Sequence, residues 1–136
     1  MTQRPLLDTH IWLWWMTGDQ RLRDTVRTVL DILGPRDRPY LSAISLWEVA
    51  MLVERRRIGF TVPLAEWLRD ATAPSVVELV PITPGIAADT AAFPVPFHRD
   101  PADRLIVATS RILGAPLVTE DRAIIDSRLV RRWKLR

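Results

Sequence analysis

Four times along this chain a short apolar run stops and a helix-forming segment begins at once, and that alternation narrows the folds open to it. "PLL" leads into "DTHIWLWWMTG", and "RPYLS" into "AISLWEVAMLVERRR". "VVELVPI" precedes a helix expected from Pro84 or Gly85 to Phe93, and "APLVTED" a helix of a few residues. Short apolar strands interleaved with helices argue for an α/β fold whose parallel sheet is covered on both faces. Between these units, "DQRLRDTVRTVLDILG" sets Leu22, Val26, Val29, Leu30 and Leu33 at helical spacing, with Gly34 closing the helix. Pro63 opens a shorter helix in "VPLAEWLRDATA", and the Pro-rich loop "PVPFHRD" ends at the helix "PADRLIVATSRILG". The basic tail "RLVRRWKLR" is expected to add a last strand. With 136 residues, 48% of them hydrophobic, and no repeat or linker, a single domain over residues 1–136 is expected.

Composition removes several chemistries. The absence of cysteine excludes a disulfide framework and thiolate metal sites, which favours the cytoplasm. "IWLWWM" is too short to span a bilayer, and Asp8 interrupts what could pass for a signal-peptide core, so no membrane role is expected. Two histidines leave a zinc site of the common type short of ligands, and five glycines form no phosphate-binding loop. No G-x-S-x-G elbow occurs either. The net charge is +3, and Lys134 is the only lysine. Such an arginine bias suits a polyanionic partner as well as it suits an ordinary solvated surface.

The acids are more informative. From Ala43 to Val53 the helix is apolar on every face, with Glu48 its only charge. A helix of that kind is expected to be buried, and a buried carboxylate needs a cation, a metal or a cleft beside it. The bland alternative is a structural pair with a buried arginine. Asp8, Asp100 and Asp121 each read singly as helix N-caps, and Asp103 as an acid complementing a helix dipole. Together, however, Asp8, Asp121 and the Asp100/Asp103 pair stand at helix starts, near exits from what should be one sheet, where α/β folds place their sites. Converging carboxylates repel one another, and a hard divalent cation such as Mg²⁺ or Mn²⁺ is the usual remedy. An ion held so can activate water against a phosphodiester. His10 reads as packed or capping, and His98 as a loop residue near the rim.

The stretches "LLDTHIWLW", "SAISLWEVA", "FHRDPADRLIVATS" and "PLVTEDRAI" together resemble the PIN-domain ribonucleases, and most closely the VapC-type toxins of bacterial toxin–antitoxin pairs. The resemblance spans almost the whole chain. It implies a three-layer α/β/α sandwich around a mainly parallel sheet. It further implies that Asp8, Glu48 and Asp103 are the core metal-binding acids, that Asp121 completes the cluster, and that Asp100 is a cap. Thr9, Ser42 and Thr119 match hydroxyl positions that bond the acids or a metal-bound water. Ala102 departs from the pattern, standing where similar sequences often carry a bulkier apolar residue.

The same resemblance implies a homodimer with a basic groove for RNA, for which Arg99, Arg104, Arg122, Arg131 and Arg132 are candidates. Trp12, Trp15, Trp47 and Trp67 fall on helices that in the family flank the docking groove of the antitoxin, a VapB-like protein. A core position is the stronger expectation for Trp47, while Trp12 and Trp15 divide evenly between core and interface. The expected function is a Mg²⁺- or Mn²⁺-dependent endoribonuclease acting as a toxin. A PIN nuclease in RNA processing and a non-catalytic protein- or RNA-binding module are the alternatives.

Overall fold

Side chains alternate across a strand, so two consecutive buried leucines must serve two different layers. That is what Leu6 and Leu7 do. The computed structural model describes residues 3–135. In it β1 (Leu6–Leu7) sends Leu7 into a core with Leu41, Val118, Trp12, Val26 and Val49, while Leu6 packs with Ile106, Leu117 and Ile124. Both leucines are fully buried. Helices α1 (Thr9–Thr17), α2 (Asp24–Ile32), α3 (Ile44–Glu54) and α4 (Leu64–Ala71) supply the first layer. Helices α5 (Pro84–Asp89), α6 (Pro101–Leu113) and α7 (Arg122–Ser127) supply the second. Between them β1, β2 (Tyr40–Ser42), β3 (Glu78–Val80) and β4 (Leu117–Val118) form one parallel sheet in the order β3-β2-β1-β4. This is the expected α/β/α sandwich.

The chain winds outward from β1 through β2 to β3 and then returns to the far side of β1 with β4. The winding therefore reverses between β1 and β4, and the crevice beyond their carboxyl ends is where open α/β sheets hold ligands. The tail adds a single bridging residue rather than a full strand. Leu117 donates to Arg131 O at 2.8 Å and accepts from Trp133 N at 2.8 Å, which places Arg132 parallel to β4. Arg136, the last residue of the expected tail strand, lies outside the described residues.

Several boundaries differ from the sequence expectation for local reasons. Helix α2 begins at Asp24 because Asp19 caps a turn of its own, accepting from Arg21 N at 2.8 Å, while Leu22 N bonds Asp19 O. Helix α5 stops at Asp89, after which the Thr90 hydroxyl bonds Ala87 O at 2.6 Å and the Thr90 carbonyl accepts from Arg104. Helix α3 ends in a Schellman turn: Arg57 N reaches Leu52 O, Arg56 N reaches Val53 O, and Arg56 takes φ +56°.

Helix α3 also corrects a burial expectation. Although apolar all round, it buries only Ser45 and Val49 fully, and Trp47 is 49% exposed. The helix turns Val49 toward the core that holds Leu7 and Leu41, and its opposite side is only partly covered, with Trp47 its most open large apolar side chain. The tryptophan in the core is Trp12, fully buried, with its indole N–H on Ala71 O at 2.9 Å. Among the described residues no helix is long and apolar enough to cross a membrane.

Candidate metal centre

Asp8 leaves β1 with an extended backbone and starts α1, which Gly18 ends in the left-handed conformation. Its carboxylate does not make the usual cap bond to the second or third helical amide. Instead Oδ1 accepts from Thr9 N at 2.8 Å, and Oδ2 accepts the Thr119 hydroxyl at 2.6 Å. Thr119 follows β4 directly, so this bond ties the two strand exits that flank the reversal point. Its oxygen in turn accepts from Asp121 N at 3.0 Å, fixing the start of α7.

Glu48 reaches the same place from α3. The Thr9 hydroxyl donates to Glu48 Oε1 and shares a 2.8 Å hydrogen bond with the Ser45 hydroxyl. Ser45 and Glu48 are three residues apart on one helix and so share a face. Sequence reasoning passed over Ser45; its spacing from Glu48 was the available signal. Ser42, grouped there with the acid-binding hydroxyls, is buried but accepts from Ile44 N at 3.3 Å and shapes the entry to α3.

Asp103 enters from α6, whose first turn is set by Asp100 as cap (Asp103 N to Asp100 Oδ1, 3.0 Å) and by Pro101. His98 stands 3.2 Å from Asp103 Oδ2 through Nε2, and its Nδ1 accepts from Asp100 N at 3.2 Å, which requires the Nε2–H tautomer. His98 is therefore bound to the acid cluster rather than idle in its loop. His10 is exposed, its ring centroid 6.0 Å from that of Trp14. Asp121 accepts from Ala123 N at 2.9 Å and Ile124 N at 3.3 Å, so it caps α7.

The electrostatics show what these acids lack. Burial raises the Asp8 carboxyl above its ordinary range, against the opposing hydrogen bond from Thr119 and the neighbouring His10. Burial likewise raises Glu48, with Thr9 opposing and Asp8 and Asp100 adding to the rise. Asp103 is pushed up to about 7, first by burial and then by the charges of Asp8, Asp100, Asp121 and Glu48. Among the described residues no lysine or arginine forms an ion pair with Asp8, Glu48, Asp103 or Asp121. The buried arginine partner that would make Glu48 structural is therefore not found among them.

An all-oxygen, strongly negative set fits a hard divalent ion in donor chemistry and in charge. The set is open rather than a closed cage: among the described residues no three acidic or imidazole groups are already gathered round one point as ligands.

The arginines divide. Arg99 and Arg122 are exposed, with no side-chain hydrogen bond among the described residues. Arg132 touches Thr119 O at 3.4 Å and Glu120 at 3.3 Å, beside the acids. Arg131 turns the other way, to Gly114 O at 2.6 Å and Gln3 at 2.7 Å, beside the residues that precede β4 and β1, which removes it from the groove candidates. Arg104 is corrected as well. Its guanidinium donates to Phe97 O and His98 O, each at 3.1 Å, and to Thr90 O, over the Phe93 ring, so it braces the loop after α5.

Of the tryptophans, Trp12 is too buried to meet a partner. Trp15 is half-buried with its N–H on Asp31 at 2.8 Å, and Trp67 lies between Trp12 and a stacked Phe60 ring. Trp47 is the one whose face is open.

Known proteins share this fold. The sequence model of the PIN domain matches residues 6–127. Ribonuclease VapC22 of Mycobacterium tuberculosis (strain ATCC 25618 / H37Rv) is 39% identical over 123 residues, 90% of this chain and 91% of that protein. VapBC2 from Rickettsia felis, solved bound to a DNA fragment from its promoter, aligns at a TM-score of 0.66 with 14% identity, covering 95% of this chain and 98% of that one. FitAcB from Neisseria gonorrhoeae aligns at 0.62 with 22% identity, covering 95% and 96%.

Proposed function

The chain belongs to the PIN-domain family, and from that premise we propose that it is a Mg²⁺- or Mn²⁺-dependent endoribonuclease, the toxin of a toxin–antitoxin pair. The observation that carries the reading is the convergence of Asp8, Glu48, Asp103 and Asp121 from four separate elements, with burial and mutual repulsion raising three of them and no lysine or arginine among the described residues paired to any. Purely structural acids would be paired or solvated. The similarity to a named ribonuclease supports the substrate class, and the similarity to toxin–antitoxin complexes supports a protein partner.

Asp8, Glu48, Asp103 and Asp121 would hold the ion. When bound, it supplies charge neutralisation at the phosphate and lowers the pKa of water. The residues of the chain do the rest. Thr119 and the Thr9 amide fix the plane of the Asp8 carboxylate, and the Thr9 hydroxyl, steadied by Ser45, aims Glu48 at the same crevice. Arg99, Arg122 and Arg132 surround the acids with positive charge that holds RNA phosphates. Water attacks phosphorus and the P–O3′ bond breaks, leaving a 5′-phosphate and a 3′-hydroxyl. The exposed Trp47 and the half-buried Trp15 and Trp67 would border the antitoxin groove, and the chain would also pair with a second copy of itself.

The test is cleavage of a total RNA pool by the purified protein and by Asp8→Asn, with Mn²⁺, with Mg²⁺ and with chelator. Discrete fragments from the unaltered protein alone, lost in chelator, support the reading. Equal cutting by Asp8→Asn in a clean preparation overturns it.

A further inference from the structure

A cavity of about 830 Å³ lies between α2 and the C-terminal tail, and neither the metal centre nor the core accounts for it. Its walls include Arg23, Asp24 and Val29 on one side and Arg132, Trp133 and Lys134 on the other, with Val118 and Thr119 also lining it. Three features distinguish it from a packing defect. It borders the acids, because the Thr119 that lines it is the residue whose hydroxyl holds Asp8. Its lining carries three cations and the carboxylate of Asp24, and Glu120 beside it pairs with two of the three, so the excess charge stays positive. Arg23 and Arg132 both bond Glu120, at 3.1 and 3.3 Å, so one acid aligns two guanidiniums from opposite walls. Finally, Trp133, which lines the cavity, is only partly buried: its backbone is anchored to Leu117 and its side chain packs against the edge of the core.

A flat aromatic ring flanked by cations beside a phosphodiester site is the combination that binds single-stranded nucleic acid, with the ring stacking on a base and the cations meeting phosphates. Resting on the ribonuclease reading above, we propose that this cavity is a nucleotide subsite flanking the scissile phosphate. Trp133 stacks on the base of a neighbouring nucleotide, and Arg23, Arg132 and Lys134 hold the adjoining phosphates. The subsite would then contribute to which RNA sequence is cut. Charge favours RNA over a protein segment here, since the cations would meet a phosphate on every nucleotide.

The experiment uses Asp8→Asn as the parent, so that RNA survives, with fluorescein-labelled single-stranded RNAs of about eight nucleotides, one homopolymer for each of A, C and U and one of mixed sequence. Trp133→Leu, which keeps apolar volume without a π face, should weaken binding about tenfold, while Trp133→Phe stays within about twofold. Lys134→Gln, at an exposed position, should reduce the slope of log affinity against log salt by roughly one phosphate contact. Parent-like affinity for Trp133→Leu overturns the proposal. If that variant does not fold, parent-like affinity and salt slope for Lys134→Gln overturn it instead. So does a Trp133 variant that binds RNA normally but no longer binds the antitoxin, because the cavity would then belong to the protein partner. The ribonuclease reading fails separately, through absence of metal-dependent cutting by the unaltered protein, and Trp133-dependent RNA binding would stand even then.

Discussion

The hydroxyl of Thr119 donates to Oδ2 of Asp8 at 2.6 Å across 111 positions of sequence, joining the exits of β1 and β4 where the winding of the sheet reverses. Replacing Thr119 by Val removes that donor and leaves a buried carboxylate oxygen unpaired, at a cost of about 1–3 kcal/mol. RNA cleavage should fall by about tenfold or more, since the plane of Asp8 is no longer fixed, while Thr119→Ser keeps most of it. Thermal melting and single-turnover cleavage of the pair check this; equal activity in Val and Ser variants would remove the hydroxyl from the mechanism.

Asp103 predicts how the metal-free protein responds to pH. Its carboxyl, ordinarily near 3.8, titrates at about 7 in the fold, so between those values the folded state binds more protons than the unfolded one. Stability contributed by the protonated form is fully present below 3.8 and is lost as pH rises through 7. In chelator, Tm should decline across that window, and Mg²⁺ should reverse most of the decline by binding only the folded chain. A Tm that is flat with pH in chelator, or raised no further by Mg²⁺ at pH 8 than at pH 5, would contradict the clustering of these acids.

Arg104 is predicted to act through structure rather than through phosphate. Arg104→Ala frees the carbonyls of Thr90, Phe97 and His98, and with them the loop that brings His98 to Asp103. Stability should drop by about 1–3 kcal/mol, and cleavage should drop with it. The salt dependence of RNA binding should not change, whereas Arg122→Ala should flatten it.

Trp47, expected in the core, is the open tryptophan, and Trp12, divided in expectation between core and interface, is the buried one. Trp12→Ala empties the core and should cost about 3–5 kcal/mol. Trp47→Ser, at a residue 49% exposed, should leave the fold within about 1 kcal/mol of its parent and weaken antitoxin binding instead. Denaturant unfolding together with titration of the antitoxin separates the two effects.

These outcomes show where the sequence is legible. The strand-to-helix alternation reveals the sheet because Leu6–Leu7, Tyr40–Ser42 and Leu117–Val118 are short, apolar and each followed at once by a turn into helix or a capping acid. The positions of Asp8 and Asp121 follow from the same pattern, since a strand exit is fixed by where the apolar run stops. What stays hidden depends on which side of an element faces what. Helix α3 carries no polar stripe, so nothing in "ISLWEVAMLVE" says that Val49 faces the sheet and Trp47 faces away. Likewise, "RLVRRWKLR" does not disclose that Arg131 and Arg132 lean toward opposite ends of β4, because that depends on the register of one bridge at Leu117.

The bond between Asp8 and Thr119 also orders events in time. Asp8 is synthesised 111 positions before Thr119, the residue at the exit of β4 that completes its surroundings. β2 and β3 can align beside β1 early, yet the crevice has only one wall until β4 slides in on the other flank. Pairings this distant in sequence form late and slowly. The paired crevice therefore comes into being only after β4 has been made and has docked against β1.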